Sequence, residues 1–174
     1  QRFAGKSFHS NAWDHEYDYR NRRVAIVGSG ASAAQIIPAL APQVAQLHVF
    51  QRSAHWVLPR ADRRFGRFQR WLLGIKPAYT LLRWLIYWQF ETRVIAFKYS
   101  TSALKLVQGQ ALRHLKRQVP DAELRRKLTP DFTIGCKRVI LSSTLYPALS
   151  RSNVTLHGRD QGIAALDERG IQTL

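Results

Sequence analysis

Four apolar residues, Val24-Ala25-Ile26-Val27, stand between Arg22-Arg23 and a run of small residues, Gly28-Ser29-Gly30-Ala31-Ser32-Ala33. This pattern predicts a buried strand, a tight turn and a helix from Ser32 to about Leu40, with Pro38 kinking or ending it. A second apolar run, Leu47–Gln51, predicts another strand, and residues 54–61 read as an extended loop. Residues 62–119 are helical in period. Leu72, Leu73, Leu81, Leu82, Leu85, Ile86, Phe90, Val94, Ile95 and Phe97 give a broad apolar face, broken at Gly74 and Pro77 and weakened at Gly109. Two to four helices fit there. Residues 120–138 read as loop. Then come a core strand at Val139–Leu141, a short turn or helix at Leu145–Leu149, a strand at Val154–His157, and a hairpin of Ile163–Leu166 with Ile171–Leu174 across Asp167–Gly170. The alternation is that of an α/β fold: a Rossmann-like parallel sheet over residues 24–174, with a helical insertion at about 62–119 and a linker at 1–23.

The small-residue run has the spacing G-x-G-x-x-A, at Gly28, Gly30 and Ala33. Gly28 lets the chain turn. Gly30 has no Cβ, so a pyrophosphate can approach the backbone. Ala33 is small enough for the helix to pack on the strand. The N–H groups and positive dipole end of the helix then attract phosphate, which makes Gly28, Ser29, Gly30, Ala31, Ser32, Ala33 and Gln35 candidate cofactor ligands. Any tight strand-to-helix turn also favours small residues, so the next strand matters. Arg52-Ser53 follows it, 22 positions after Gly30. An NAD-binding unit places an acid near this distance to accept from the ribose 2′-hydroxyl. A guanidinium there pairs instead with a 2′-phosphate, and Ser53 can donate to it, so NADP(H) is expected over NAD(H). The bland reading of Arg52 is a solvated charge in an arginine-rich chain.

Composition narrows the class. The 174 residues suit one domain with an insertion, and 45% hydrophobic residues suffice for a core. The net charge of +16 admits a nucleic acid, an anionic membrane surface or a phosphate-rich cofactor as partner, or a piece of a larger protein whose other parts carry the acids. The start at Gln1 and the end at Leu174, just after Glu168-Arg169-Gly170, favour a piece. Cys136 is the single cysteine, which excludes an internal disulfide, and no zinc constellation stands out. Lys76, Arg83, Glu91 and Arg93 interrupt the Trp- and Leu-rich stretch, so no spanning helix is expected. That stretch reads most simply as an insertion packed on the sheet or on a further domain. A sharper reading is peripheral membrane contact through Trp71, Trp84 and Trp88 with arginines alongside. Arg113, Lys116, Arg117 and Arg125, Arg126, Lys127 read as solvated helix faces. A basic nucleic-acid module is disfavoured, because the arginines are dispersed and no such motif appears.

Phe3-Ala4-Gly5-Lys6-Ser7-Phe8-His9-Ser10-Asn11-Ala12-Trp13-Asp14 has the form F-x-G-x-x-x-H-x-x-x-W-D. It resembles the fingerprint of Baeyer–Villiger monooxygenases, and Phe3, Gly5, His9, Trp13 and Asp14 fill its fixed positions. In that family the fingerprint also precedes a dinucleotide-binding unit with a helical insertion. The resemblance makes His9 a linker residue between two nucleotide domains. It extends to Pro130-x-x-x-x-Gly135-x-Lys137-Arg138. There it implies that Lys137 meets the NADP 2′-phosphate and that Arg138 is catalytic, reaching the flavin and steadying the negative charge developed there. Gly135 supplies a special backbone angle, and Cys136 reads as packing. The bland alternative is a basic edge near a turn. The resemblance implies NADP(H) as cofactor here, and FAD held by segments outside this chain. It further implies flavin domains of the same protein as partners, O₂ and a ketone or heteroatom substrate, and a cytoplasmic protein. The chain alone is expected to bind NADP(H) without completing the oxygen chemistry. The alternative is the corresponding part of an N- or S-oxidising flavin monooxygenase.

Overall fold

In a computed structural model, which describes residues 3–60, 62, 64–99 and 101–174, with side chains left aside over 93–103, β1 (Arg23–Val27), β2 (Gln46–Phe50) and β5 (Val154–His157) form one parallel sheet with β2 in the middle. The register pairs Val24 with Leu47 and Leu47 with Val154. β1 starts at Arg23, one residue before the apolar run, because Arg23 pairs with Gln46. It is an edge strand with Arg23, Ala25 and Val27 exposed, Val27 at 67%, which corrects the expectation of a buried strand: only one neighbour covers it, and Val24 and Ile26 alone lean on the core.

Helix α1 (Ala33–Leu40) covers one sheet face with Ala33, Ala34, Ile37 and Leu40 buried. Pro38 lies inside its last turn, where the helix ends two residues later. The core continues through Val44, Leu47, Val49 and Leu156 to α6 (Leu145–Leu149), whose Leu145, Tyr146, Ala148 and Leu149 are buried. Burial pushes the Tyr146 hydroxyl far above the usual phenol range. Asn153 ties β5 to the end of α1, its Nδ2 donating to the carbonyls of Ala41 and Val44 at 2.8 and 3.0 Å.

Extended residues after β2 include β3 (Val57–Leu58), which pairs in parallel with β4 (Ile140–Leu141) as a separate two-stranded ladder. The expected core strand at 139–141 is therefore only half a core strand: Ile140 is buried and Leu141 is exposed. Beneath this ladder, Trp56, Ala111 and Ile134 form a second small core, and Trp56 Nε1 donates to the Phe132 carbonyl at 2.8 Å. The antiparallel hairpin is as read, β6 (Ile163–Leu166) with β7 (Ile171–Thr173). Asp167 Oδ1 accepts from the N–H groups of Arg169 and Gly170, which closes its turn.

The stretch expected to be an insertion, about 62–119, contains α2 (Arg67–Leu73), α3 (Lys76–Tyr99) and α4 (Thr101–Gln118). Helix α4 docks on the body, burying Ala111 and Leu115, with His114 Nε2 3.0 Å from the Ser142 carbonyl. α3 meets α2 and α4. Its Leu81, Trp84, Leu85 and Ile86 are exposed, so of the two expected placements this face does not take the one on the sheet, and packing on a further domain stays open. The side chains of Arg93, Val94, Ile95 and Phe97 lie outside the described residues. A second correction concerns 120–138. Residues Ala122–Leu128 form helix α5, because Asp121 caps it, its Oδ1 accepting from Leu124 N at 2.5 Å. On α5 only Arg126 is a solvated cation as expected. Arg125 folds back to donate to the Val119 carbonyl at 2.8 Å, and Lys127 pairs with Glu123 at 3.4 Å.

On the sheet face opposite α1, His48 Nδ1 lies 3.0 Å from His157 Nε2, and His157 stacks on Phe50. Burial pushes both imidazoles below their usual range, helped by Arg23 at His48 and by His48 and Lys127 at His157. A base with a depressed folded pKa binds fewer protons folded than unfolded, so stability rises with pH across that window and is lost as pH falls through about 6.5. We expect the melting temperature to drop between pH 7 and pH 5. His48→Gln combined with His157→Gln should flatten that slope in thermal melts, and an unchanged slope would assign the dependence elsewhere.

Candidate functional site

The glycine turn leaves β1 at its carboxyl end. Gly28 takes φ +113°, a left-handed conformation open to glycine, and its N–H donates to the Phe50 carbonyl at 2.9 Å. That bond holds the turn against the end of β2. At Gly30 an added Cβ would meet nothing within 4 Å. Packing within the chain therefore does not demand a glycine there, and the space above it is free for a ligand's approach. Ala33 is buried against the sheet, as its position in the spacing requires. The first turn of α1 carries no acid, and Ser32 makes no side-chain cap. Among the described residues, no backbone carbonyl takes the N–H groups of Gly30, Ala31 and Ser32. Gln35 is exposed one turn further on.

Three segments far apart in sequence converge beside this turn. Ser29 Oγ donates to the Ser53 carbonyl at 3.1 Å. Lys137 Nζ donates to Ser53 Oγ at 3.2 Å and sits 4.5 Å from the centre of the Phe132 ring. The loop after β2, the glycine turn and the segment before β4 thus share one location at the carboxyl ends of the parallel strands, where ligands bind in open α/β sheets. Arg52, next to Ser53, is exposed and in no ion pair among the described residues. Arg138 is exposed as well, directly after Lys137 and likewise unpaired among the described residues. Gly135, two residues before Lys137, takes φ +100°. Cys136 is exposed, so the packing role expected for it is corrected.

His55 escaped the sequence reading. It is half-buried, and its Nδ1 is buried without a hydrogen-bond partner. It lines a cavity of about 20 Å³ with Ser29, Gln51 and Tyr146, room for one water. Burial and the nearby Lys137 charge push its pKa down. A lone histidine between Ala54 and Trp56 carries no sequence signal of that position.

The fingerprint segment folds on itself at the edge of the body. Trp13 packs edge-on with Phe8 and Tyr19, and Trp13 and Tyr19 lean on the main core. Lys6 pairs with Asp14 at 2.6 Å, which holds the Asp14 carboxyl below its usual range. His9 is exposed, and its Nδ1 accepts from Asn11 N at 3.2 Å within its own turn. At Gly5 a Cβ would stand 2.5 Å from the Phe3 ring, so the ring fills the space a side chain would need. Among the described residues no cluster of His, Cys, Asp and Glu could hold a metal, and no helix is long and apolar enough to cross a membrane.

A profile of the flavin-binding monooxygenase-like family matches residues 1–115. The chain belongs to that family. It is 45% identical, over 98% of its own length, to a Baeyer–Villiger monooxygenase of Pseudomonas aeruginosa, and covers 32% of that protein. It is 48% identical, over 87% of its length, to a Baeyer–Villiger monooxygenase of Streptomyces coelicolor, and covers 30% of it. The chain of this flavin-binding monooxygenase-like protein therefore spans about a third of the length of these curated relatives. Among solved structures, an oxidized steroid monooxygenase bound to NADP superposes with a TM-score of 0.81 at 27% identity, over 99% of this chain and 40% of the other. A Rhodococcus cyclohexanone monooxygenase bound to NADP+ superposes at a TM-score of 0.79 and 20% identity, over 98% of this chain and 39% of the other, and shares the fold.

Proposed function

We propose that this chain is the NADP(H)-binding part of an FAD- and NADPH-dependent Baeyer–Villiger monooxygenase, which uses O₂ to oxygenate a ketone or heteroatom substrate. The observation that supports it most is the convergence of Ser29, Ser53 and Lys137 beside an open Gly30. In this reading the turn from Gly28 to Ala33 and Gln35 cradles the pyrophosphate and neighbouring ribose. Arg52, Ser53 and Lys137 take the 2′-phosphate, a dianion that two unpaired cations and a hydroxyl suit. NADPH supplies hydride when bound. Arg138, a cation at any working pH, is free to face the flavin-binding parts of the same protein. The sequence has one G-x-G-x-x-A and no second glycine turn of that spacing, so FAD would be held by other segments of the enzyme. Phe3, Gly5, His9, Trp13 and Asp14 form the compact joint between those segments and this one. A cytoplasmic location goes with the reading.

Calorimetric titration with NADP⁺ and, separately, NAD⁺ tests it. NADP⁺ is expected to bind with clear preference. Lys137→Ala should weaken NADP⁺ by about 10- to 100-fold, the worth of one hydrogen bond to a charged group, and leave NAD⁺ unchanged. Arg52→Ala should act in the same direction. Equal affinity for both nucleotides, or equal loss of both in Lys137→Ala, would remove the 2′-phosphate assignment.

A further inference from the structure

Residues 64–92 present large apolar side chains to solvent in a regular order. On α2, Phe68, Trp71 and Leu72 are exposed, and Ile75 follows them at helical spacing. On α3, Leu81, Trp84, Leu85 and Trp88 recur at three- and four-residue steps and are all exposed, Trp84 at 59%. Pro77 and Thr80 extend that stripe into one open groove of about 630 Å³. Trp84 and Trp88 lie with ring centres 6.0 Å apart, so the two indoles stand together as a ledge. Among the described residues neither the sheet nor α4 buries this stripe, and so much exposed apolar surface on one element marks a contact surface.

The charges beside the stripe say what it meets. Arg64, Arg67, Arg70, Lys76 and Arg83 stand in this stretch against the single acid Glu91. All five cations are exposed, and none is in an ion pair among the described residues. Arg83 instead lies over the Tyr79 ring at 5.8 Å. A second copy of the chain would bring five more cations to the same face and be repelled. A protein partner would need acids matched to each arginine. A sheet of anionic headgroups meets them at any rotation, while Trp and Tyr rings settle at the headgroup level and Leu side chains reach the acyl boundary. Since no helix among the described residues can span a bilayer, the contact is one that lies on the surface.

We infer that α2 and the first half of α3 form a docking surface for an anionic lipid membrane, with Trp71, Trp84 and Trp88 as its apolar anchors and Arg67, Arg70 and Arg83 as its headgroup contacts. The cytoplasmic leaflet is negatively charged, which puts such a surface where a cytoplasmic NADPH-dependent enzyme would meet it.

The test is co-sedimentation of this chain with phosphatidylglycerol-containing vesicles and with pure phosphatidylcholine vesicles, read together with tryptophan quenching by brominated lipid. Binding to the anionic vesicles, tryptophan quenching and loss of binding at high salt are expected. Because each basic residue near an anionic surface strengthens binding roughly fivefold, reversing Arg67, Arg70 and Arg83 to Glu should weaken the partition coefficient at least 100-fold. Trp84→Ser with Trp88→Ser should weaken it at least tenfold and leave the melting temperature unchanged, since both rings are exposed. Absence of sedimentation with anionic vesicles would overturn the proposal. So would binding that the tryptophan pair does not affect, which would mean adsorption through the net charge of +16 alone. A dimer that the tryptophan variant dissociates, without vesicle affinity in either protein, would assign the stripe to a second copy. Vesicle binding by this chain that vanishes in a protein carrying flavin-binding segments on both sides would assign it to those segments.

Discussion

Gly30→Val should leave the fold intact and weaken NADP⁺ binding at least about 100-fold, because the valine fills the volume into which a pyrophosphate must come. The two halves of this expectation come from one measurement of space. A Cβ at Gly30 has no protein atom within 4 Å, so the backbone there has open space for a side chain to leave it. Gly30 also lies outside the left-handed region, unlike Gly28 at φ +113°. Calorimetry and thermal melts on the same sample check it: affinity lost, melting temperature within a few degrees of the parent. Gly28→Val is the contrasting variant. It has room for a Cβ but the wrong backbone angle, so it should lose stability along with affinity. If Gly30→Val kept its affinity, the turn would not be a phosphate cradle, however well the spacing fits.

That contrast also separates what the amino acids announce from what they conceal. The strand, turn and helix from 23 to 40 are legible because the apolar run, the glycines and the small residue at 33 each serve one local geometry. β5 and the final hairpin are legible for the same reason, since Asp167 and Gly170 mark their own turn. Arg52 and Ser53 can be read as phosphate ligands from their distance to Gly30, but the contact of Ser53 with Lys137 is a tertiary fact. It depends on β3 pairing with β4, a ladder of two residues a side that no periodicity reveals. α5 was hidden by the turn-forming Pro120-Asp121, which in fact starts a helix rather than a loop. His55 was hidden because its place in the small cavity that Ser29 also lines arises from the path of the loop after β2. The long helices were legible as helices but not in their destination. An apolar stripe looks the same in sequence whether it packs inward, as Leu115 does on α4, or faces out, as Trp84 does on α3.

Ile37→Ala should therefore destabilise the protein by roughly 2–5 kcal/mol, while Leu81→Ala should change little. Both residues sit on helical apolar faces in the sequence, and hydrophobicity alone ranks them alike. Ile37 is 1% exposed and stands in the middle of the main core, among residues of α1, β2 and α6. Truncating it removes buried methyl groups and leaves a cavity bounded by the sheet, whose hydrogen-bonded strands cannot collapse into it. Leu81 is 62% exposed on α3, so its truncation opens no cavity and removes little area already shielded from water. For a chain of this size the Ile37 loss corresponds to a fall of about 5–15 °C in melting temperature. Thermal and urea unfolding of the two variants side by side measure the difference. Equal losses would mean that the stripe on α3 is covered in solution by something that stabilises the fold. A large loss at Ile37 alone places the stability of the chain in the sheet and α1, the same elements that hold the glycine turn in shape. Nucleotide binding and folding then rest on one scaffold, and NADP⁺ should raise the melting temperature of the parent by mass action but fail to raise that of Gly30→Val.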